Sequence, residues 1–523
     1  MMLLDIIINN HKSTVMKTQM MKIGKLMLIA SMLLLAEGIS AQVLRTGYFL
    51  DGSLQRYRIN PALGAERGFV ALPVVGGMNI STFGDVGYGN FVFGQDNGRD
   101  LLFTDYRVSA DEFLSGLKNE NKVRFDMDMS ILSFGFKSWG GFNTFDVSLR
   151  SILGLNIPKE MFRAVKTATG GAQFNSIDEL VNNIGSYNIT DMNIYTRNYV
   201  DVSLGHSRNI NKNLSIGVRA KLLLGLAYAN LDFSQIRMDV NRDNIKYEQK
   251  ANGDLVYAAD SWNVESHGRV EAALGGHFRV KGVEDFAPGK YRENVINGYE
   301  AVDYKIQGYG AGVDLGAVYS FSNALKGLTL SASVTDLGFI RWNNTSIAES
   351  DIDYDFRGFT VSADAVQDGV SNGDYGVIER SVNSQFEDLQ GELESFLEAE
   401  DKGEKSVSTN LGAKLSLGVE YALPFYNKLS VGALYTHCFD DVFKYDKTTV
   451  MVNFAPFKIF DLAVSSTFSD YGSNFGALAS LHLKYLDIFV GTDCFFSNVN
   501  DDYIPLDNMN ASVAFGVNIA LGR

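Results

Sequence analysis

Between Val407 and Arg523 apolar residues alternate with small or polar ones almost without interruption. Leu411, Ala413, Leu415, Leu417, Val419 and Tyr421 interleave with Gly412, Lys414, Ser416, Gly418 and Glu420. Val513, Phe515, Val517, Ile519 and Leu521 interleave with Ser512, Ala514, Gly516, Asn518 and Ala520. Successive side chains of an extended chain point to opposite faces, so each run has one apolar face and one small or polar face. A soluble sandwich uses strands of about five or six residues, whereas a tilted membrane strand needs about ten. These runs have the longer length. The predicted fold class is all-β: an antiparallel transmembrane β-barrel.

Tight connections near Trp139-Gly140-Gly141, Asn209–Asn213, Ser322–Lys326, Pro424–Lys428, Pro456–Lys458 and Tyr485–Leu486 divide the pattern. Treated as the short turns of one barrel end, they predict about fourteen strands, near 67–83, 122–137, 142–157, 191–208, 213–233, 302–321, 327–342, 407–422, 428–440, 447–455, 459–468, 475–484, 487–496 and 509–521. An even count with both termini at the short-turn end is what single-chain bacterial barrels show. One strand changes phase: Val123, Phe125, Met127, Met129 and Ile131 are odd, then Leu132, Phe134 and Phe136 are even. A β-bulge there would reset the faces. The charged residues opposite the apolar faces, Arg150, Arg219, Lys221, Asp314, Lys414 and Glu420, are expected to line the lumen as a solvated wall.

Composition agrees with a barrel. The chain has 51 Gly, 35 Phe, 24 Tyr and only 7 Pro, and its mean hydropathy of −0.03 is near neutral because only alternate strand residues would meet lipid. Residues 1–41 read as a signal peptide: Lys22 and Lys25 precede an apolar run from Leu26 to Ala36, and Ile39-Ser40-Ala41 offers a small-residue cleavage site. Residues 1–19 fit a start-site artefact, with translation beginning at Met20 or Met21. Residues 42–66 form a periplasmic or lumen-facing tail, and 67–523 the outer-membrane barrel. Without residues 1–41 the chain holds 42 basic and 59 acidic residues, which excludes nucleic acid as a partner class. Cys438 and Cys494 match no metal spacing and are too few for a disulfide framework.

The expected long loops are 84–121, 158–190, 234–301 and 343–406, and function on a rigid scaffold concentrates in such loops. Loop 343–406 carries sixteen acids and four bases. Its second half predicts an amphipathic helix, Val382 to Ala399, with Val382, Phe386, Leu389, Leu393, Phe396 and Leu397 on one face. Phe386, Leu389, Leu393 and Phe396 are the candidate ligand-binding residues, as a lid over an apolar entrance. The plainer reading is that this face packs over the barrel mouth or a neighbouring loop, and a third is that it docks a partner. Asn60, Pro61 and Ala62 in the tail are the candidate plug.

Catalytic and metal chemistry finds no motif. Asp351-Ile352-Asp353-Tyr354-Asp355 resembles the start of a calcium loop, but Phe356 takes the glycine position and Ser362 the closing glutamate position. His206, His267, His277, His437 and His482 fall in no HExxH or Cys/His cluster, and there is no GxSxG or Walker loop. The expectation is no enzyme, no cofactor and no metal site.

Asn60-Pro61-Ala62 before the first strand resembles the Asn-Pro-Ala element of the long-chain fatty-acid transporter superfamily of outer-membrane barrels. Together with Arg58-Ile59, the segment Ser333-Val334-Thr335-Asp336-Leu337-Gly338-Phe339-Ile340-Arg341-Trp342 and the string Leu411–Tyr421, the chain also resembles a Bacteroidota family of such barrels. The tail, about 25 residues, is shorter than that transporter's plug, and the chain ends Leu521-Gly522-Arg523 without a terminal aromatic residue. The resemblance implies an outer-membrane location in a Gram-negative bacterium. It implies contact with outer-membrane lipid and the binding or transport of a hydrophobic small molecule. Its alternative is a non-transport barrel whose long loops serve protein secretion or surface assembly by binding a protein partner; a surface barrel with an adhesive or cation-binding acidic loop is a third reading.

Overall fold

The computed structural model describes residues 44–521, except 74, 95–99, 106, 170–186, 241–245, 250–254, 259–261, 285–290, 303–304, 323–324, 357–358, 363–370, 372–398, 427, 496–507 and 509. The expected signal peptide 1–41 and the loop-helix residues Phe386, Leu389, Leu393 and Phe396 lie outside the described residues.

The alternating strands close into a fourteen-strand antiparallel barrel. In chain order they are β1 (Gly68–Ala71 and Met78–Gly84), β2 (Glu120–Ser138), β3 (Gly141–Pro158), β4 (Tyr187–Asn209), β5 (Leu214–Val240), β6 (Gly308–Ser320) and β7 (Leu328–Phe356). They continue as β8 (Ala413–Ala422), β9 (Leu429–Phe439), β10 (Tyr445–Phe457), β11 (Phe460–Ser469), β12 (Gly472–His482), β13 (Leu486–Phe495) and β14 (Ala511–Leu521). The ring closes where β1 pairs with β14 on one side and β2 on the other: Phe69 stands opposite Ala520 and Gly135. Closure leaves no free sheet edge around the barrel, which a wall in lipid requires.

The phase change in β2 is a bulge, as expected. The register with β3 shifts between Ser130 and Leu132, and Ile131 and Leu132 both face outward. The outer wall is apolar. Leu204, Leu222, Leu315, Leu337, Phe339, Leu417, Val452, Phe468 and Val490 are all exposed there, in a band far larger than the scattered apolar residues of a soluble surface.

Three boundaries differ from the sequence pattern. β1 is broken across residues 72–77, with Pro73 in the break. β6 starts at Gly308, not near 302. The alternation read across 407–422 spans two strands, Glu400–Asn410 and β8, separated at Leu411-Gly412. Gly412 sits at φ +78°, a left-handed conformation that costs glycine nothing and other residues more. The break turns Leu411 inward, where it is buried, while Leu417, Val419 and Tyr421 stay on the outside.

Above the barrel the wall has a second storey. β5 and β7 run 27 and 29 residues, more than twice the roughly ten a tilted membrane strand needs. Trp262–Ala273 takes over from β6 between them: it pairs with β5 at Tyr228–Val240 and with β7 at Ser346–Phe356. Glu400–Asn410 likewise takes over from β8 along β7. The segments expected to be loops are therefore partly continuous sheet. The first two long connections carry short helices, α1 (Ala110–Ser115) and α2 (Lys159–Thr169). These pack Phe91, Phe103, Phe113 and Phe162 into one aromatic cluster, with Phe103 and Phe113 stacked at 4.5 Å.

Candidate functional site: a stratified, plugged lumen

Residues 44–66 are folded inside the barrel. Their contacts reach most of the way round the wall: Thr46 Oγ1 donates to Asp493 at 2.6 Å, Tyr48 Oη to Ser331 at 2.9 Å, and Tyr57 Oη to Asp146 at 2.6 Å. Asn60 is fully buried; its Nδ2 donates to Tyr48 Oη at 3.0 Å, and its Oδ1 accepts from Ala62 N–H at 3.0 Å. Ser333 Oγ donates to the Ile59 carbonyl, and Ser215 Oγ to the Ala62 carbonyl. The wall makes room by having no side chain where the tail passes closest. A Cβ on Gly217 would collide with the Pro61 carbonyl group, and one on Gly316 with Asn60 Oδ1. Asn60, Pro61 and Ala62 thus come together where β5, β6 and β7 face the lumen.

The next stratum is ionic. Arg58 of the tail reaches Asp128 at 2.9 Å and Asp146 at 3.2 Å. Arg219 lies between Asp146 (3.3 Å) and Asp314 (3.5 Å); Lys221 bridges Asp314 (2.7 Å) and Asp336 (2.5 Å). Arg150 reaches Asp128, Asp201 and Asp336, and Lys414 reaches Asp336 at 3.1 Å. Asp336 is delivered by a bulge. Between β6 and β7 the register shifts at Val313/Leu315, and Asp336 sits at φ +57° with its N–H donating to Asp314 at 2.7 Å. Such a bulge re-aims a side chain, here into the centre of the lumen.

This corrects the expectation of a solvated wall. Arg150, Arg219, Lys221, Asp314 and Lys414 do face inward, but Arg219, Lys221 and Asp314 are buried and all five are ion-paired. The tail and the Asp336 bulge occupy the space that water was expected to fill. Charges taken out of water are tolerated only when paired, and here five cations face five aspartates. Glu420 faces inward near Asp51 and Arg56 of the tail, outside that network.

A cavity of about 110 Å³ remains beside the ionic stratum, bordered by Arg58, Ile59, Met127, Arg150, Leu411 and Lys414 among others. That is room for a few waters and well below the roughly 300–1,000 Å³ of a drug-sized ligand pocket.

The third stratum is aromatic. Phe83, Tyr195, Tyr199, Tyr228, Trp342, Phe443, Tyr445 and Tyr471 are buried together with Leu223, Ile340 and Leu411. Trp342 stacks on Tyr228 at 5.2 Å, and its Nε1 donates to Thr409 at 2.9 Å. The order of strata follows one strand: along β5, Gly217 touches the tail, Arg219 and Lys221 join the ionic layer, and Leu223 and Tyr228 join the aromatic layer. Asp440, in the connection after β9, ties this layer down. It accepts from Arg197 at 2.8 Å, from Arg124 at 3.3 Å, and from the Val442 and Phe443 N–H groups at 3.1 Å. Burial pushes its carboxyl up, but Arg124 and Arg197 reverse that and hold it well below the usual carboxylate range.

Sequence reasoning singled out the tail and several of the charges but missed Asp336, Asp128, Asp201 and the aromatic layer. The signal for Asp336 was present as a lone acid interrupting the alternation of Val334, Leu337 and Phe339. Asp351, in the calcium-like run, accepts from His267 Nδ1 at 2.8 Å, and Cys438 and Cys494 are both free thiols.

A closed antiparallel barrel, apolar outside and plugged within by its own N-terminal segment, is the class these features define. Within it, the chain belongs to a family of unknown function, DUF5723, whose model matches residues 61–493. No curated protein matches the chain significantly. Among solved structures it is similar to a TodX monoaromatic hydrocarbon channel mutant (8% identity, 92% of this chain and 96% of that one, TM-score 0.39). It is also similar to the Ralstonia pickettii toluene transporter TbuX (9% identity, 93% and 96%, TM-score 0.35). A Pseudomonas aeruginosa FadL homologue gives 11% identity over 92% and 98%, with a TM-score of 0.35. At these identities and TM-scores the likenesses carry no argument about what this chain does.

Proposed function

We propose that the protein is an outer-membrane barrel that binds a hydrophobic small molecule at its long-loop end and passes it only when the N-terminal tail moves. The carrying observation is the stratification. An aromatic layer built around Trp342 and Tyr228 lies above an ionic layer, and the tail seals the base. Aromatic faces suit apolar ligands and contribute most of the binding in such sites. The paired charges and the small residual cavity oppose free diffusion, which makes the tail a gate. The apolar outer band supports the membrane location.

The test is quenching of Trp342 by a brominated alkyl compound, with Trp139→Phe and Trp262→Phe removing the other tryptophans. Saturable quenching supports the reading; its absence at all ligand concentrations sinks it. A second reading, a non-transport barrel serving secretion or surface assembly, is favoured by the blocked lumen and the second storey on β5 and β7. Saturable protein binding without Trp342 quenching would select it.

A further inference from the structure

We propose that the short-turn end of the barrel is a collar that holds anionic phospholipid headgroups. This rests on the membrane reading above but adds a partner and a surface to it. Every short turn carries one exposed lysine in it or within two residues of it: Lys137, Lys212, Lys326, Lys428, Lys458 and Lys484. The six connections, 139–140, 210–213, 321–327, 423–428, 458–459 and 483–485, contain no Asp or Glu; the two acids within two residues of them, Asp461 and Asp487, are buried and paired with His482 and Arg67. In a chain with 61 acids against 46 bases, composition biases the other way. The opposite end does carry the acids, with Asp440, Asp441 and Asp470 in its short connections and sixteen acids across 343–406.

The lysines sit beside apolar anchors. Trp139 (76% exposed), Phe425 (84%), Phe457 (66%) and Tyr485 (66%) project from the same turns. Lys484 Nζ lies 5.0 Å from the Tyr485 ring centroid and Lys428 Nζ 5.9 Å from that of Phe457. An aromatic ring at the boundary of the hydrocarbon places an adjacent ammonium at the depth of lipid phosphates. A ring of such pairs attracts anionic lipid over a range set by the Debye length. Short turns mark the periplasmic side of such barrels, so the occupant is phospholipid of the inner leaflet.

The experiment reconstitutes the intact protein in bilayers of equal phosphatidylglycerol and phosphatidylcholine. It then extracts with mild detergent and measures the retained lipid ratio by mass spectrometry. Wild type is expected to retain phosphatidylglycerol about threefold or more over the bulk ratio, with the excess lost at high salt and kept when inorganic phosphate is added at matched ionic strength. Changing all six lysines to Gln removes the enrichment, while heat-modifiable gel mobility reports an intact barrel. If that variant does not fold, Lys326→Gln with Lys428→Gln and Lys458→Gln gives the same comparison at half dose. No enrichment in wild type, or equal enrichment in folded variants, overturns the collar. Failure of wild type to enter bilayers overturns the membrane reading itself.

Discussion

Arg58 and Asp146 meet at 3.2 Å with both side chains buried, one from the N-terminal tail and the other from β3. Through this pair the plug is part of the wall's charge balance. Arg58→Met leaves Asp128 and Asp146 short of a cation, a loss of about 3–5 kcal/mol for a broken buried pair. That favours displacement of the tail. Planar-bilayer recording is expected to show raised single-channel conductance, with gel mobility still that of a folded barrel. Conductance equal to wild type would place the gate elsewhere.

Gly316 offers an independent test of the gate. Gly316→Val puts side-chain atoms where Asn60 Oδ1 and Pro61 lie, and changes nothing on the outer face of the wall. Overpacking costs about 1–3 kcal/mol. Moving the tail relieves it more readily than moving a hydrogen-bonded wall. Protease nicking of residues 44–66 in the intact barrel should rise severalfold over wild type, and an unchanged cleavage rate would show that the tail is not displaced.

Trp342→Ala removes the ring stacked on Tyr228 and the hydrogen bond to Thr409. The cost expected for emptying such a site is about 3–5 kcal/mol. Binding of a lipophilic probe should fall at least tenfold, whereas Trp342→Phe should restore most of it. A probe affinity untouched by Trp342→Ala would separate the aromatic layer from binding.

Asp440 gives a pH dependence with a definite sign. Its folded carboxyl lies below the ordinary value, so its stabilising contribution is complete above about pH 4. It is lost as pH falls through the folded value. Asp440→Asn should lower the melting temperature at pH 7. It should also flatten the part of the melting curve's acid dependence below about pH 4 that wild type shows. A variant with the wild-type profile throughout would remove Asp440 from the anchoring of the aromatic layer.

The barrel was largely legible in the chain because period-two alternation is a local property. Val431, Ala433 and Tyr435 need only their neighbours to show which way they face. Even the β2 bulge was visible, since a missing beat in the alternation at Ile131 and Leu132 is itself local. The pattern misled at Leu411, where alternation continues through Gly412 although the backbone turns there. Which strand occupies a storey depends on partners on β7, and those are far away in sequence.

The amino-acid order by itself determined the strands, the short turns, their unbroken set of lysines and the tail that precedes β1. Tertiary structure decided what fills the lumen. Arg58, Asp128, Asp146, Arg150, Asp201, Arg219, Lys221, Asp314, Asp336 and Lys414 come from the tail and from seven strands, and no spacing along the chain relates them. Whether such groups stand in water or in ion pairs depends on the volume left inside the closed wall. That volume exists only once the strands have met and the tail has folded into it.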